Sequence, residues 1–76
     1  MKEREKIALG LLSRITGMEE GRIVPEMELV ADLGIDSPKA LQLLVELEES
    51  LGIEIGDESA SRMNTVEDVL RLASGG

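Results

Sequence analysis

Ser37 stands in the run Asp32-Leu33-Gly34-Ile35-Asp36-Ser37-Pro38-Lys39-Ala40, between a turn and the start of an apolar-striped helix. Gly34 permits backbone angles that side chains resist, so residues 32–35 read as a turn, and Asp36 or Ser37 then caps the helix through a side-chain oxygen. Pro38 suits the first helical turn, where a missing N–H is no loss. A serine in this place lies beside unpaired backbone N–H groups at the positive end of a helix dipole, an environment that tolerates a phosphate on its oxygen. The same residues also describe an ordinary capping serine, and the local pattern alone does not separate the two. The chain has no His and no Cys, so Ser37 has neither an imidazole base nor a thiol partner with which to act as a nucleophile. It reads as a residue to be acted upon.

Asp-Leu-Gly-Ile-Asp-Ser followed by a leucine-rich acidic helix, in a short acidic chain, resembles the acyl carrier proteins over nearly the whole length. The Asp-Ser pair of that family's signature falls on Asp36 and Ser37. The resemblance implies that a phosphopantetheinyl transferase moves 4'-phosphopantetheine from coenzyme A to Ser37, and that the cofactor thiol then carries an acyl group as a thioester. It implies a carrier and not an enzyme, serving acyl-loading and acyl-processing partners of fatty-acid, lipid or polyketide-type biosynthesis. The sequence departs from the family at Pro38, where leucine is usual, and at Lys39 and Gln42, where acids are common. Those departures suggest a specialised carrier with dedicated partners. Peptidyl carriers, which hold aminoacyl groups, more often read Gly-Gly-x-Ser at this point, and Gly34-Ile35-Asp36-Ser37 fits the acyl type better.

The chain has 76 residues, enough for one small domain whose core leaves about 3–5 kcal/mol of net stability. It contains no aromatic residue, so Leu, Ile, Val, Met and Ala must build the interior, and flexible side chains re-pack more readily than rings. A net charge of −8 disfavours nucleic acid and anionic membranes and favours partners with basic surfaces. The absence of cysteine excludes disulfides and thiolate metal sites, and no apolar run approaches a signal or membrane-spanning length. A monomeric, cytoplasmic protein without a metal site is the expectation.

Helical periods dominate the chain. Ile7, Leu11 and Ile15, flanked by Ala8 and Leu12, make one face of a helix over residues 1–16 that stops at Gly17. Gly10 inside it either permits a close helix approach or is a tolerated weakness. Residues 18–36 lose the period but stay apolar, which predicts a long loop packed over the helices, with a helical turn near 18–21. Residues 38–51 form the strongest helix, with Ala40, Leu43, Leu44, Leu47 and Leu51 as its core stripe and Gly52 as its end. Ile53 and Ile55 alternate through an extended link, Asp57 can cap a short third helix to about residue 62, and Thr65 with Asp68 caps a fourth bearing Val66, Val69, Leu70 and Ala73 on one face. The predicted architecture is an all-α bundle of three main helices, one short helix and a long first loop, in a single domain with residues 74–76 as a frayed tail.

Leu41 and Val45 lie outside the core stripe in a second row that runs on to Glu48, which reads either as an exposed or half-exposed face or as a widening of the buried stripe. Glu46, Glu48 and Glu49 crowd the negative end of the helix dipole, where each acid is unfavourable by about 0.3–1 kcal/mol, so helix stability does not account for them. In the family this helix is the main docking surface, and Leu41, Val45, Glu48 and Glu49 match its apolar and acidic contacts. Leu44, Leu47, Ile55, Ala60 and Met63, between the second and third helices, are the expected lining of an acyl cavity. A terminal Gly-Gly suggests a ubiquitin-like carrier, but such domains need strands that these helical periods do not supply. Residues 32–36 lack the ligand spacing of a calcium loop. The rival readings are an acidic adaptor that only docks on a larger complex, which phosphopantetheinylation separates from a carrier, and a carrier of aminoacyl groups.

Overall fold

The computed structural model describes residues 2–75. Four α-helices follow one another: α1 Glu3–Thr16, α2 Ser37–Leu51, α3 Asp57–Ser61 and α4 Val66–Ala73, with a single 3-10 turn, Glu20–Arg22, in the long first loop. The predicted start of α1 at residue 1 and the last residue of the tail lie outside the described residues. Ser74 and Gly75 close α4 in a turn, their N–H groups donating to Leu70 O (3.0 Å) and Leu72 O (3.1 Å). Helix α1 is central and packs on both α2 and α4.

The periods seen in the sequence become the core. Ala8, Leu11 and Leu12 of α1 meet Leu43, Leu47 and Leu51 of α2 and Val66, Val69, Leu70 and Ala73 of α4, with Ile7 and Ile15 partly buried at the edge. The long loop adds Ile23, Leu29, Leu33 and Ile35 to the same core, as its apolar content requires. Helix α3 contributes no buried residue, and its cap is Gly56 and not Asp57, which is already the first helical residue and makes no capping hydrogen bond. Gly17 (φ 78°) and Gly52 (φ 66°) end α1 and α2 in the left-handed region, which only glycine enters without strain.

Gly10 has no such duty. A Cβ there meets nothing closer than a Glu20 carboxylate oxygen at 3.7 Å, an ordinary contact. Of the two roles open to it, close helix approach is therefore not the one found. Gly10→Ala should stabilise the protein by roughly 1 kcal/mol through helix propensity alone, read as a higher denaturant midpoint with unchanged slope.

The loop is tied to the far end of the chain. An isolated antiparallel bridge pairs Glu28 with Thr65. Around it, Leu29 N–H donates to Asn64 O (2.9 Å), Val66 N–H to Met27 O (2.9 Å) and Glu67 N–H to Pro25 O (3.0 Å). Thr65 caps α4 as its sequence predicts, accepting from the Asp68 N–H. In return the backbone N–H groups of Asn64 and Thr65 donate to the Asp68 carboxylate at 2.9 and 3.0 Å and hold its pKa below the ordinary value. A depressed carboxyl pKa adds stability above its unfolded value and loses it as pH falls through the folded value. Thermal stability should therefore fall below about pH 4, and Asp68→Asn should flatten part of that fall.

Arg4, part of an unremarkable charge alternation in the sequence, reaches across the bundle. Its guanidinium donates to Ala73 O (2.8 Å) and Leu51 O (3.3 Å), the terminal carbonyls of α4 and α2. A cation at the negative ends of two helix dipoles satisfies acceptors that helices leave orphaned.

Candidate functional site

The turn before α2 is built by its own side chains. Asp32 carboxylate accepts the Glu28 N–H (2.7 Å), while the N–H groups of Asp32 and Leu33 return to Glu28 O and that of Ile35 to Leu29 O (3.0 Å). Gly34 takes φ 67°, a left-handed angle, and releases the chain into α2. Asp36 rather than Ser37 is the cap: its carboxylate accepts the Lys39 N–H at 3.0 Å. Ser37 is then the first helical residue and Pro38 the second, both exposed.

This placement narrows the expectation of several free N–H groups at Ser37. Pro38 has none, Lys39 gives its own to Asp36 carboxylate and Ala40 gives its own to Asp36 O (2.8 Å). Only the Ser37 N–H is left unused by that first turn. An exposed hydroxyl with one adjacent free donor at a helix N-terminus fits a solvent-facing phosphodiester. Lys39, the only base from residue 23 to residue 61, makes none of the ion pairs among the described residues.

Ser37 stands at the rim of a cleft of about 370 Å³. The loop supplies one wall with Leu29, Val30 and Ile35. Helix α2 supplies the floor with Ala40, Leu43 and Leu44, and Ala60 and Met63 close the far side. Leu44, Ala60 and Met63 line this one cleft. Leu47 and Ile55 do not line this cleft: Leu47 is 1 % exposed in the closed core, one turn further along α2, and Ile55 is half-buried in the link. The space lies nearer the start of α2 than core periodicity suggests, because the loop folds over that end. Val30, 74 % exposed, is an apolar lip that the sequence reading missed.

Leu41 is 64 % and Val45 43 % exposed, so the second row of α2 faces solvent. Glu49 beyond them is exposed too. The other acids have partners inside the protein. Glu46 pairs with Arg14 of α1 and accepts from Gln42 (3.0 Å). Glu48 carboxylate accepts the Ile55 N–H at 2.8 Å, and its backbone carbonyl accepts from Gly52 (2.9 Å) and Ile53 (3.2 Å). Three N–H groups of the link therefore converge on one residue, which positions the segment leading to α3. Glu48→Gln keeps an acceptor and should leave amide exchange at Ile55 within about threefold of wild type, whereas Glu48→Ala should raise it about tenfold, as loss of roughly 1–2 kcal/mol implies. Equal exchange in both variants would mean that the side chain holds nothing.

A family model described as a phosphopantetheine attachment site matches residues 7–73. The chain belongs to the acyl carrier protein family. A candidate acyl carrier protein from Mycobacterium tuberculosis shares its fold with a TM-score of 0.87 and 35 % sequence identity, over 95 % of this chain and 96 % of that one. The all-helical bundle is that of the family, and the domain is of the kind to which 4'-phosphopantetheine is covalently attached. An acyl carrier of this kind contributes no catalysis of its own. It is the substrate of a phosphopantetheinyl transferase and of acyl-processing enzymes. Among the described residues no helix is long and apolar enough to cross a membrane, and no acidic group is arranged to hold a metal ion.

Proposed function

We propose that Ser37 is the attachment residue and that this carrier shelters an apolar acyl chain of fatty-acid, lipid or polyketide-type biosynthesis. The observation that carries the reading is the position of Ser37, exposed at the first turn of α2 and at the mouth of an apolar cleft. In the transfer, Ser37 Oγ bonds to the phosphorus that bears pantetheine, the anhydride of coenzyme A breaks and adenosine 3',5'-bisphosphate leaves, and the hydroxyl proton passes to a base of the transferase. The attached arm supplies a thiol on which acyl groups are held as thioesters. The chain's own residues orient the hydroxyl, keep the turn rigid and offer the apolar walls.

Leu41, Val45 and Glu49, one continuous exposed row, are the docking surface for partners with basic patches around an apolar centre. Glu48 adds to it with the carboxylate oxygen that the Ile55 N–H leaves free. The test is modification of the wild-type protein by coenzyme A and a transferase of broad specificity. Intact mass should rise by one phosphopantetheine, and peptide mapping should place it on Ser37. Attachment at Ser13, Ser50, Ser59, Ser61 or Ser74 would overturn the assignment.

A further inference from the structure

We propose that Met63 sets the length of acyl chain this protein can shelter, by dividing the Ser37 cleft from a second depression between α3 and α4 whose lining carries charged groups. The proposal rests on the carrier reading of Ser37. Met63 lines both spaces. On the Ser37 side its neighbours across the gap are apolar, Leu44 and Ala60 among them. On the other side, in a depression of about 230 Å³, they are Ser59, Arg62, Asp68 and Arg71, with Leu72 the one further apolar group.

The backbone at Met63 is pinned, and its side chain packs against the edge of the core. Its N–H donates to Ala60 O (3.2 Å). The next residue, Asn64, is held by the Asp68 carboxylate (2.9 Å) and accepts the Leu29 N–H (2.9 Å). The side chain is unbranched, half-buried and carries a flexible thioether. Methylenes added to a chain on Ser37 gain by leaving water as long as they meet the apolar walls. Past Met63 an alkyl tail would strip water from two guanidinium groups and a carboxylate without replacing its hydrogen bonds, so burial stops there.

Wild type, Met63→Ala and Met63→Leu would be loaded from acyl coenzyme A donors of increasing chain length, with intact mass confirming each product. Failure to load would count against Ser37 and not against Met63. Melting temperature of the wild type should rise with chain length and then level. Met63→Ala should level about three methylene-sized groups later, the number of heavy atoms that alanine lacks there. Met63→Leu, similar in volume, should break where wild type does. In wild type the Met63 methyl resonance should stay constant with short chains and shift as the chain reaches the break. A break at the same length in Met63→Ala, or a methyl resonance indifferent to every chain, overturns the proposal. Should Met63→Ala fail to fold, the methyl resonance decides alone.

Discussion

Ser37→Ala is expected to accept no phosphopantetheine while unfolding at nearly the wild-type temperature. The two halves of that result have separate causes. Attachment needs the hydroxyl oxygen, and no neighbouring serine shares the position at the mouth of the cleft. Stability does not need it, because the helix is capped by Asp36 and Ser37 already occupies a helical position. Alanine is a good helix former, so the change should lie within about 0.5 kcal/mol. Asp36→Ala should show the reverse balance, costing about 1 kcal/mol through loss of the cap while retaining an acceptor hydroxyl. Intact mass and thermal unfolding measured on both variants check the pair. Full modification of Ser37→Ala would remove this serine from the mechanism.

Leu47→Ala should cost about 2–5 kcal/mol, against a total of about 3–5 for a domain of this size. The side chain is 1 % exposed and lies on the α2 face that packs against α1. Its loss leaves a void in a core that contains no aromatic ring to fill it. A large fraction of the variant should be unfolded at room temperature by circular dichroism. Leu47→Met, nearly the same volume, should cost less than about 1.5 kcal/mol. A fully folded Leu47→Ala would show that the aliphatic core closes around the gap.

The sequence made the helices legible because each has both a period and a boundary residue. Pro38 and Gly52 bracket α2, Gly17 ends α1, and Thr65 with Asp68 opens α4, all through local chemistry. The same period set Leu41 and Val45 apart from the core stripe without deciding their exposure. What stayed hidden depends on contacts distant in sequence. The pairing of residues 25–29 with 64–67 is made by backbone atoms, which leave no side-chain signature. The loop that it holds in place supplies Leu29, Val30 and Ile35 to the cleft, so the cleft's position was equally hidden. Leu47 was assigned to that cleft because periodicity marks a buried face and not what lies opposite each turn. Glu46 and Glu48 looked free because Arg14 and the Ile55 N–H are 32 and 7 residues away from them.

The bridge between the first loop and the start of α4 also sets an order of events during synthesis. The loop wall beside Ser37 is completed only by Asn64, Thr65, Val66 and Glu67. At about 5–20 residues per second, the ribosome adds Asn64 roughly 1–5 seconds after Ser37. The serine is thus made before the contacts that brace the turn around it. A modifying enzyme that reads the finished turn will act only on chains whose fourth helix has arrived, so truncated products would stay uncharged.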